Sequence, residues 1–381
     1  MSREPTYQAA RAVAKTVEAQ FARHLAAARE RGEKNLAHEP KAQTIEAIVD
    51  ATFWASLRRE EGNSPKVSLA FLPPEQAEQP LIFERPLPLA PQDLTKLAPA
   101  VERPGIHLGV WGEPDELYVW GATRVIPSFC FVLENVEPGL LVIKHRRSDD
   151  FGKFANVAVL KGDQVKVVDE QGTSLPDCPD LLASLLSFTS PSSWNDSVNL
   201  LVQLAASMRA HGHGGSLLVV PAGTQKWAES MVHPILYSIV PAFSALADLM
   251  RQGLKDMTEE DLWEDDVRRA VDTIAGLTAV DGATVLSDQY ELLAFGTKIR
   301  RPEGSAPVER IVITEPVIGD RAVVVDAVQN GGTRHLSAAQ FVHDQRDALA
   351  LIASQDGRFT IFAWSPCEQM VHAHRVDVLL L

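Results

Sequence analysis

Two different apolar rhythms divide this chain and limit what it can fold into. From Gly105 to Val168, short runs rich in Val, Ile, Leu, Phe, Tyr and Trp follow one another: "IHLGVWG", "ELYVWG", "SFCFVLENV", "GLLVIKH", "FANVAVL" and "QVKVVD", with Gly, Asp or Asn between them. Runs of this length and composition read as a mainly antiparallel sheet. Beyond residue 190 the rhythm changes to helix-length segments alternating with apolar strands, which implies an α/β domain with a mixed sheet flanked by helices on both faces. The predicted organisation is an N-terminal α+β domain over 1–185 and a C-terminal α/β domain over 190–381, with "DEQGTSLPDCPD" at 169–180 as the boundary loop.

Ahead of the strands, residues 6–31 read as an amphipathic helix, because Ala10, Ala14, Val17, Phe21 and Leu25 recur at steps of three and four. Its stripe suits packing within the domain or dimerisation. A second helix is predicted over 41–60, ended by "GNSP", and the strand "KVSLAFL" follows. Pro73 to Pro104 holds eight of the chain's 24 prolines. A stretch so rich in proline is expected to form an extended connection or a series of edge turns.

In the second half, a helix around 194–210 ends in "HGHGG" and feeds the strand "SLLVVP". Another helix is predicted at about 231–254, and Thr258 opens "TEEDLWEDDVRRAVDTIAGL" with Asp261 in the capping-box position. Strands "ATVL", "YELLAFGTKI" and "RAVVVDAV", a helix from about 337, and strands "ALALIAS" and "RFTIFAW" complete the pattern.

With 45% of its 381 residues hydrophobic, the chain can bury two cores. No apolar run approaches the roughly 18 residues of a membrane span, and "MSREPTYQAARAVAK" lacks the apolar core of a signal peptide. A soluble, cytoplasmic protein without membrane contact is therefore expected. Cys130, Cys178 and Cys367 are too few and scattered for a disulfide framework or a Cys-based zinc site. The net charge of -14 argues against general nucleic-acid coating. An acidic chain that binds polyphosphate has to gather cations or metal at one place.

Such a place is suggested where "RAVVVDAV" meets "NGGTRHLSAA". Gly331 and Gly332 allow a sharp turn and close backbone approach, and the following N–H groups would lie at a helix N-terminus, which favours an anion. Thr333 offers a hydroxyl, Arg334 a planar fork for phosphate oxygens, and His335 a second donor when protonated. An ordinary tight turn with Thr333 as helix N-cap accounts for the same residues. Upstream, Asp281, Gly282 and Ala283 in "AVDGATVL" stand between a helix end and a strand, where an Asp is either a turn former or a metal ligand beside a phosphate site.

Taken together, "DGA" followed about fifty residues later by "GTRH", then by an apolar strand ending in Ser354, resembles the diadenylate cyclase (DAC) domain family. That family's signatures are Asp-Gly-Ala and a Gly-Thr-Arg-His-Arg segment. The order "LLVQLAASMRAHGHGGSLLVVP", "DGATVL", "LLAFGTKI", "GTRHLSAA", "DALALIAS" is similar to its layout from about 190 to about 370, roughly half the chain. The preceding half looks like the sensor-type domains that accompany some DAC domains. The resemblance implies a nucleotidyltransferase that joins two ATP into cyclic di-AMP with release of pyrophosphate, using Mg²⁺ or Mn²⁺, in a homo-oligomer with face-to-face sites. It further implies that Asp281 holds the metal, that Gly282 and Ala283 give the nucleotide backbone access, and that Gly332, Thr333, Arg334 and His335 address the triphosphate. Ser337 and Ser354 would also contact nucleotide, and "LLAFGTKI" would line its nucleoside side.

Two departures stand out. Leu336 occupies the place of the family's second arginine, and Ser354, Gln355 and Asp356 stand where Ser-Glu-Glu is common. A catalytically weak or inactive nucleotide-binding sensor of the same fold is therefore the alternative. No G-x-S-x-G elbow, Walker A loop or Rossmann fingerprint is present. His211 with His213, and His372 with His374, have the spacing that puts two imidazoles on one face of a strand, but lacking evident third and fourth ligands they read as surface or loop histidines. "EEDLWEDD" reads as a solvated acidic helix start, and Lys144, His145, Arg146 and Arg147 as a solvated turn or a small anion-binding patch.

Overall fold

The computed structural model describes residues 6–147, 154–170, 196–252 and 260–381. The chain divides into two compact units, Met1–Val168 and Asp169–Leu380. The division anticipated near 185–190, most of "DEQGTSLPDCPD", and Thr258 lie outside the described residues. The class is α/β, with two mixed sheets and helices packed on them.

In the first unit, α1 (Gln8–Glu30) and α2 (Ala42–Ser56) precede β1 (Ser68–Phe71), β2 (Leu81–Pro88) and α3 (Pro91–Val101). The strands β3 (His107–Trp111), β4 (Tyr118–Thr123), β5 (Phe131–Glu137), β6 (Leu140–Arg146), β7 (Phe154–Lys161) and β8 (Gln164–Val167) follow. They form one sheet in the order β2-β4-β3-β1-β5-β6-β7-β8. Neighbours are antiparallel except β1 and β3. Parallel neighbours need a long connection, and here β2 and α3 provide it. Strand alternation sends Leu69, Phe71, Leu108, Val110 and Leu133 to the face packed by Val17, Phe21, Ile45, Ile48 and Leu94 of the three helices. All five stripe residues of α1 are buried within this unit, which settles the stripe's use as packing.

Two expectations change here. The proline-rich stretch is more than a connection: it contains β2, an edge strand where missing N–H donors cost little, and α3, whose first turn holds Pro91. Lys144, His145 and Arg146 lie on β6 rather than in a solvated turn. Lys144 Nζ donates to Glu134 at 2.7 Å, and His145 is buried.

In the second unit, α4 (Asp196–Ala210) leads to β9 (Gly215–Val220), β10 (Tyr237–Phe243), α5 (Ala245–Gln252) and α6 (Glu260–Leu277). After them come β11 (Ala283–Ser287), β12 (Leu292–Thr297), β13 (Arg310–Thr314), β14 (Val323–Asp326), α7 (Thr333–Asp344), β15 (Leu349–Ala353), β16 (Phe359–Ser365) and β17 (Met370–Arg375). The sheet order is β10-β12-β11-β9-β15-β16-β17-β13-β14. Leu217, Val219, Leu351 and Ile361 pack with α4, α5 and α6. Their alternates Leu218, Val220, Ala350, Ile352 and Phe362 pack with Ala338, Phe341 and Val342 of α7. Both faces are covered, as the alternation of helices and strands implies. Among the described residues no helix is long and apolar enough to cross a membrane.

The helix anticipated at 231–254 is instead β10 followed by α5. Pro234 and Pro241 would each break a helix interior, whereas Pro241 is tolerated on an edge strand. The last helix starts at Thr333, not near 337, and β13 and β17 were not legible as strands. His372 and His374 are buried on β17 rather than lying at the surface. Nδ1 of His374 sits 2.7 Å from Thr314 Oγ1, and Nε2 of His372 sits 3.1 Å from Glu368.

Burial pushes three imidazoles below their ordinary value: His107 to about 4, and His145 and His374 to about 3. The unfolded chain takes up protons near pH 6.5 that the folded chain refuses, so stability is full above that pH and is lost as pH falls toward about 4. Urea denaturation of the full chain should show its midpoint falling steadily between about pH 7 and pH 5. A level or rising midpoint would contradict the neutral, buried state of these rings.

Candidate functional site

The pairing of the second sheet brings four strand ends to one edge. β9 and β11 run parallel with Leu217 opposite Thr284, so the turns that enter them, at Gly214 and at Asp281–Gly282, lie together. β12 is antiparallel to β11 with Thr297 opposite Ala283, and β15 is antiparallel to β9 with Ala353 opposite Gly215. The residues leaving those two strands, Lys298 and Ser354, therefore come back to the same edge.

Asp281 stands there with its side chain 85% exposed, and its carboxylate accepts a hydrogen bond from Lys298 Nζ. The Lys298 hydrogen bond and charge, followed by the charge of Arg334, hold its carboxyl below the usual range. Arg334 reaches this edge through the Gly214 turn, which the parallel β9–β11 pairing sets beside Asp281. A Cβ on Gly214 would come within 2.8 Å of Arg334 Nη1 and 3.3 Å of Gln355 Cγ, so the guanidinium rests against the glycine backbone of "HGHGG". Gln355 Nε2 in turn donates to the His213 carbonyl at 3.3 Å.

Close backbone packing fixes the Asp281 turn. Gly282 has φ +120°, and a Cβ there would lie 2.5 Å from the Gly296 carbonyl carbon and 2.7 Å from the Thr297 oxygen. Gly296 at φ +59° is itself covered by the Tyr237 ring, 2.8 Å from where its Cβ would be. Tyr237 stacks on Phe295 with centroids 4.8 Å apart. Ala283 is buried, and its carbonyl accepts from Thr297 Oγ1 at 2.9 Å.

On the other side, Gly331 at φ +134° turns the chain and Gly332, extended, is the N-cap of α7. Thr333 and Arg334 thus precede the first intrahelical bonds, which run from His335 and Leu336 to the Gly332 carbonyl at 3.0 and 3.3 Å. Their N–H groups face the dipole end that favours anions. Gly332 and Thr333 are exposed, and Ser337 is half-buried one turn on. Ser354 is half-buried in the β15–β16 turn, where its N–H donates to the Arg358 carbonyl at 2.9 Å.

His335 points inward. It is buried beneath Gly331, edge-on to Phe362 at 6.0 Å, with Nε2 3.4 Å from Thr360 Oγ1. Burial first, then the charge of Arg375, pushes its imidazole below the ordinary value. In this arrangement it seats the glycine loop.

The structure thus gathers Asp281, Gly282, Ala283 and Arg334, and adds Lys298 and Gly214, which sequence reasoning did not single out. Lys298 lies within "LLAFGTKI", the segment the resemblance assigns to the nucleoside side, and only the pairing of β12 with β11 sets it beside Asp281. Among the described residues no group of three or more His, Cys, Asp or Glu side chains is placed to share a metal ion. A single exposed carboxylate fits a hard cation that arrives with phosphate oxygens as its other ligands, not a resident all-protein site.

Comparison with known proteins adds the following. Residues 34–124 match the family model described as probable sensor domain DACNV. The match lies wholly within the N-terminal unit and is consistent with the sensor-type domain expected there. No curated protein matches the chain. Among solved structures, a hypothetical membrane spanning protein from Bacillus cereus is 12% identical, covering 51% of this chain and 70% of that one, with a TM-score of 0.28. A likeness at that score carries no structural argument.

Substitution of the two loop glycines separates packing from access. Gly282→Ala meets backbone at 2.5 Å and a strained φ, and is expected to destabilise the second unit by about 1–3 kcal/mol. Gly332→Ala has nothing within 4 Å and an ordinary φ, and should leave the thermal midpoint nearly unchanged. Differential scanning calorimetry of both variants checks the contrast.

Proposed function

We propose that the second unit is a nucleotide site of the diadenylate cyclase type, condensing two ATP into cyclic di-AMP and two pyrophosphates. The observation that carries this reading is the seating of Arg334, at the start of α7, against Gly214, whose turn lies beside that of Asp281, about fifty residues upstream of Arg334, at the entrance to the parallel β9–β11 pair. The N-terminal match to a probable sensor domain supports a regulated nucleotide enzyme.

In the reaction, the 3′-hydroxyl oxygen of one nucleotide bonds to the α-phosphorus of the other, and the bond to the β-phosphate oxygen breaks. Pyrophosphate leaves, and the hydroxyl proton passes to water. A second such step closes the ring. Chemistry of this kind is mainly positioning and charge neutralisation. Arg334 and the N–H groups of Thr333 and Arg334 would hold phosphate oxygens, and Gly282 and Gly332 leave room for close approach. Mg²⁺ or Mn²⁺, held by Asp281 together with those oxygens, would neutralise charge on the reacting phosphate. Two nucleotides on separate subunits require a homo-oligomer whose sites face each other.

A second reading is a nucleotide-binding sensor without turnover. It is favoured by Leu336, half-buried against the core instead of charged, and by Gln355, whose amide is engaged by the His213 carbonyl. Incubating the full chain with ATP and Mn²⁺ or Mg²⁺, with products identified by mass spectrometry, decides between them. Cyclic di-AMP formation that Asp281→Asn abolishes, at unchanged thermal stability, is the expected outcome. ATP binding without product supports the sensor, and neither binding nor product rejects both.

Arg334→Ala should weaken ATP binding roughly ten- to hundredfold, the loss of about 1.5–3 kcal/mol in a charge-assisted contact, and leave adenosine binding unaltered. Equal losses for both ligands in calorimetry would make Arg334 a structural residue.

A further inference from the structure

The cations available to an anion at this edge are unevenly distributed. Leu336, on the first turn of α7, packs against the apolar cluster that includes Phe341 and Ile352, so that turn offers a single guanidinium, from Arg334. The opposite wall of the site, the end of β12, offers Lys298. Its side chain is 56% exposed and its ammonium is held by the still more exposed Asp281.

Three observations argue that this pair is not there for the fold. An ion pair between two such exposed side chains contributes little to stability. The turn beneath it is already fixed by the seating of Gly282 on Gly296 and Thr297, and by the Thr297 to Ala283 hydrogen bond, none of which involves either charged group. Moreover, Asp281 and Lys298 offset each other, and Arg334, seated on Gly214 at the same edge, leaves a local excess of positive charge in a chain whose net charge is -14. A local cationic excess in an acidic protein attracts an anion from solution.

From this geometry we infer that Lys298 is a phosphate-binding residue. Its ammonium donates to Asp281 when no nucleotide is held, and to phosphate oxygens when one is. The flexible four-carbon stem allows that exchange, with the compact charge acting as a point donor where Arg334 acts as a fork. From β12, Lys298 supplies the second cation that α7 lacks. The inference rests on the nucleotide reading of the site.

The test is isothermal titration of the full chain with ATP and, separately, with adenosine, for the wild type, Lys298→Met, Lys298→Gln and Lys298→Arg. Lys298→Met and Lys298→Gln should each weaken ATP roughly tenfold or more, equivalent to about 1.4 kcal/mol, with adenosine affinity unchanged. Lys298→Arg should keep most of the ATP affinity. The salt dependence of ATP binding should also be shallower in the neutral variants. Wild-type ATP affinity in both neutral variants would overturn the assignment, as would equal losses for ATP and adenosine. If the wild type itself binds ATP no more tightly than adenosine, the nucleotide reading fails and this inference falls with it, an outcome distinguishable because no variant is involved.

Discussion

The site depends on strand register. Because β9 and β11 are parallel neighbours, their leading ends lie side by side, and because β12 and β15 flank that pair in the antiparallel sense, their trailing ends return to the same edge. A parallel pair cannot be closed by a tight turn. The connection from β9 to β11 accordingly includes β10, α5 and α6, and the residues it separates in sequence are reunited only by the sheet. In open parallel sheets, ligands sit outside the carboxyl ends of the strands. Here the polar residues gather at the entrance of the parallel pair, and the antiparallel neighbours make that entrance a junction of four chain segments.

How much of this could be read beforehand follows from where each signal resides. The Asp-Gly-Ala and Gly-Thr-Arg-His segments were legible because glycines and charged groups at strand and helix boundaries are local features. Central strands such as β9 and β11 were legible because they are continuous apolar runs buried on both faces. The edge strand β10 was not, since its apolar residues lie near those of α5 and a spacing of three or four fits them equally well. β17 was hidden by His372 and His374, polar residues buried through partners on other elements. The inward turn of His335 was also illegible: a histidine at the start of a helix, next to an arginine, reads as an outward donor, and only the structure places its ring beneath Gly331.

In the first unit, the match to a probable sensor domain runs from the connection after α1 through α2, β1, β2 and α3 to β4. It includes the parallel β1–β3 pair and the helix between them, so the matched segment contains the feature that sets the order of the sheet. The strands that follow extend that sheet antiparallel by hairpins. The residues burying α1 and α2 come from both parts, which makes the unit one folding core despite the partial match.

The layering beneath Asp281 extends the site beyond its chemistry. Gly282 rests on the Gly296 backbone, Gly296 lies under Tyr237, and Tyr237 belongs to an edge strand. The turn that carries an almost fully solvated carboxylate thus has an aromatic ring two layers away, and a side chain added at either glycine would collide with the next layer. The absence of two side chains is therefore itself a structural element: it lets the edge strand, β12 and the Asp281 turn stack in layers that any larger residue would push apart.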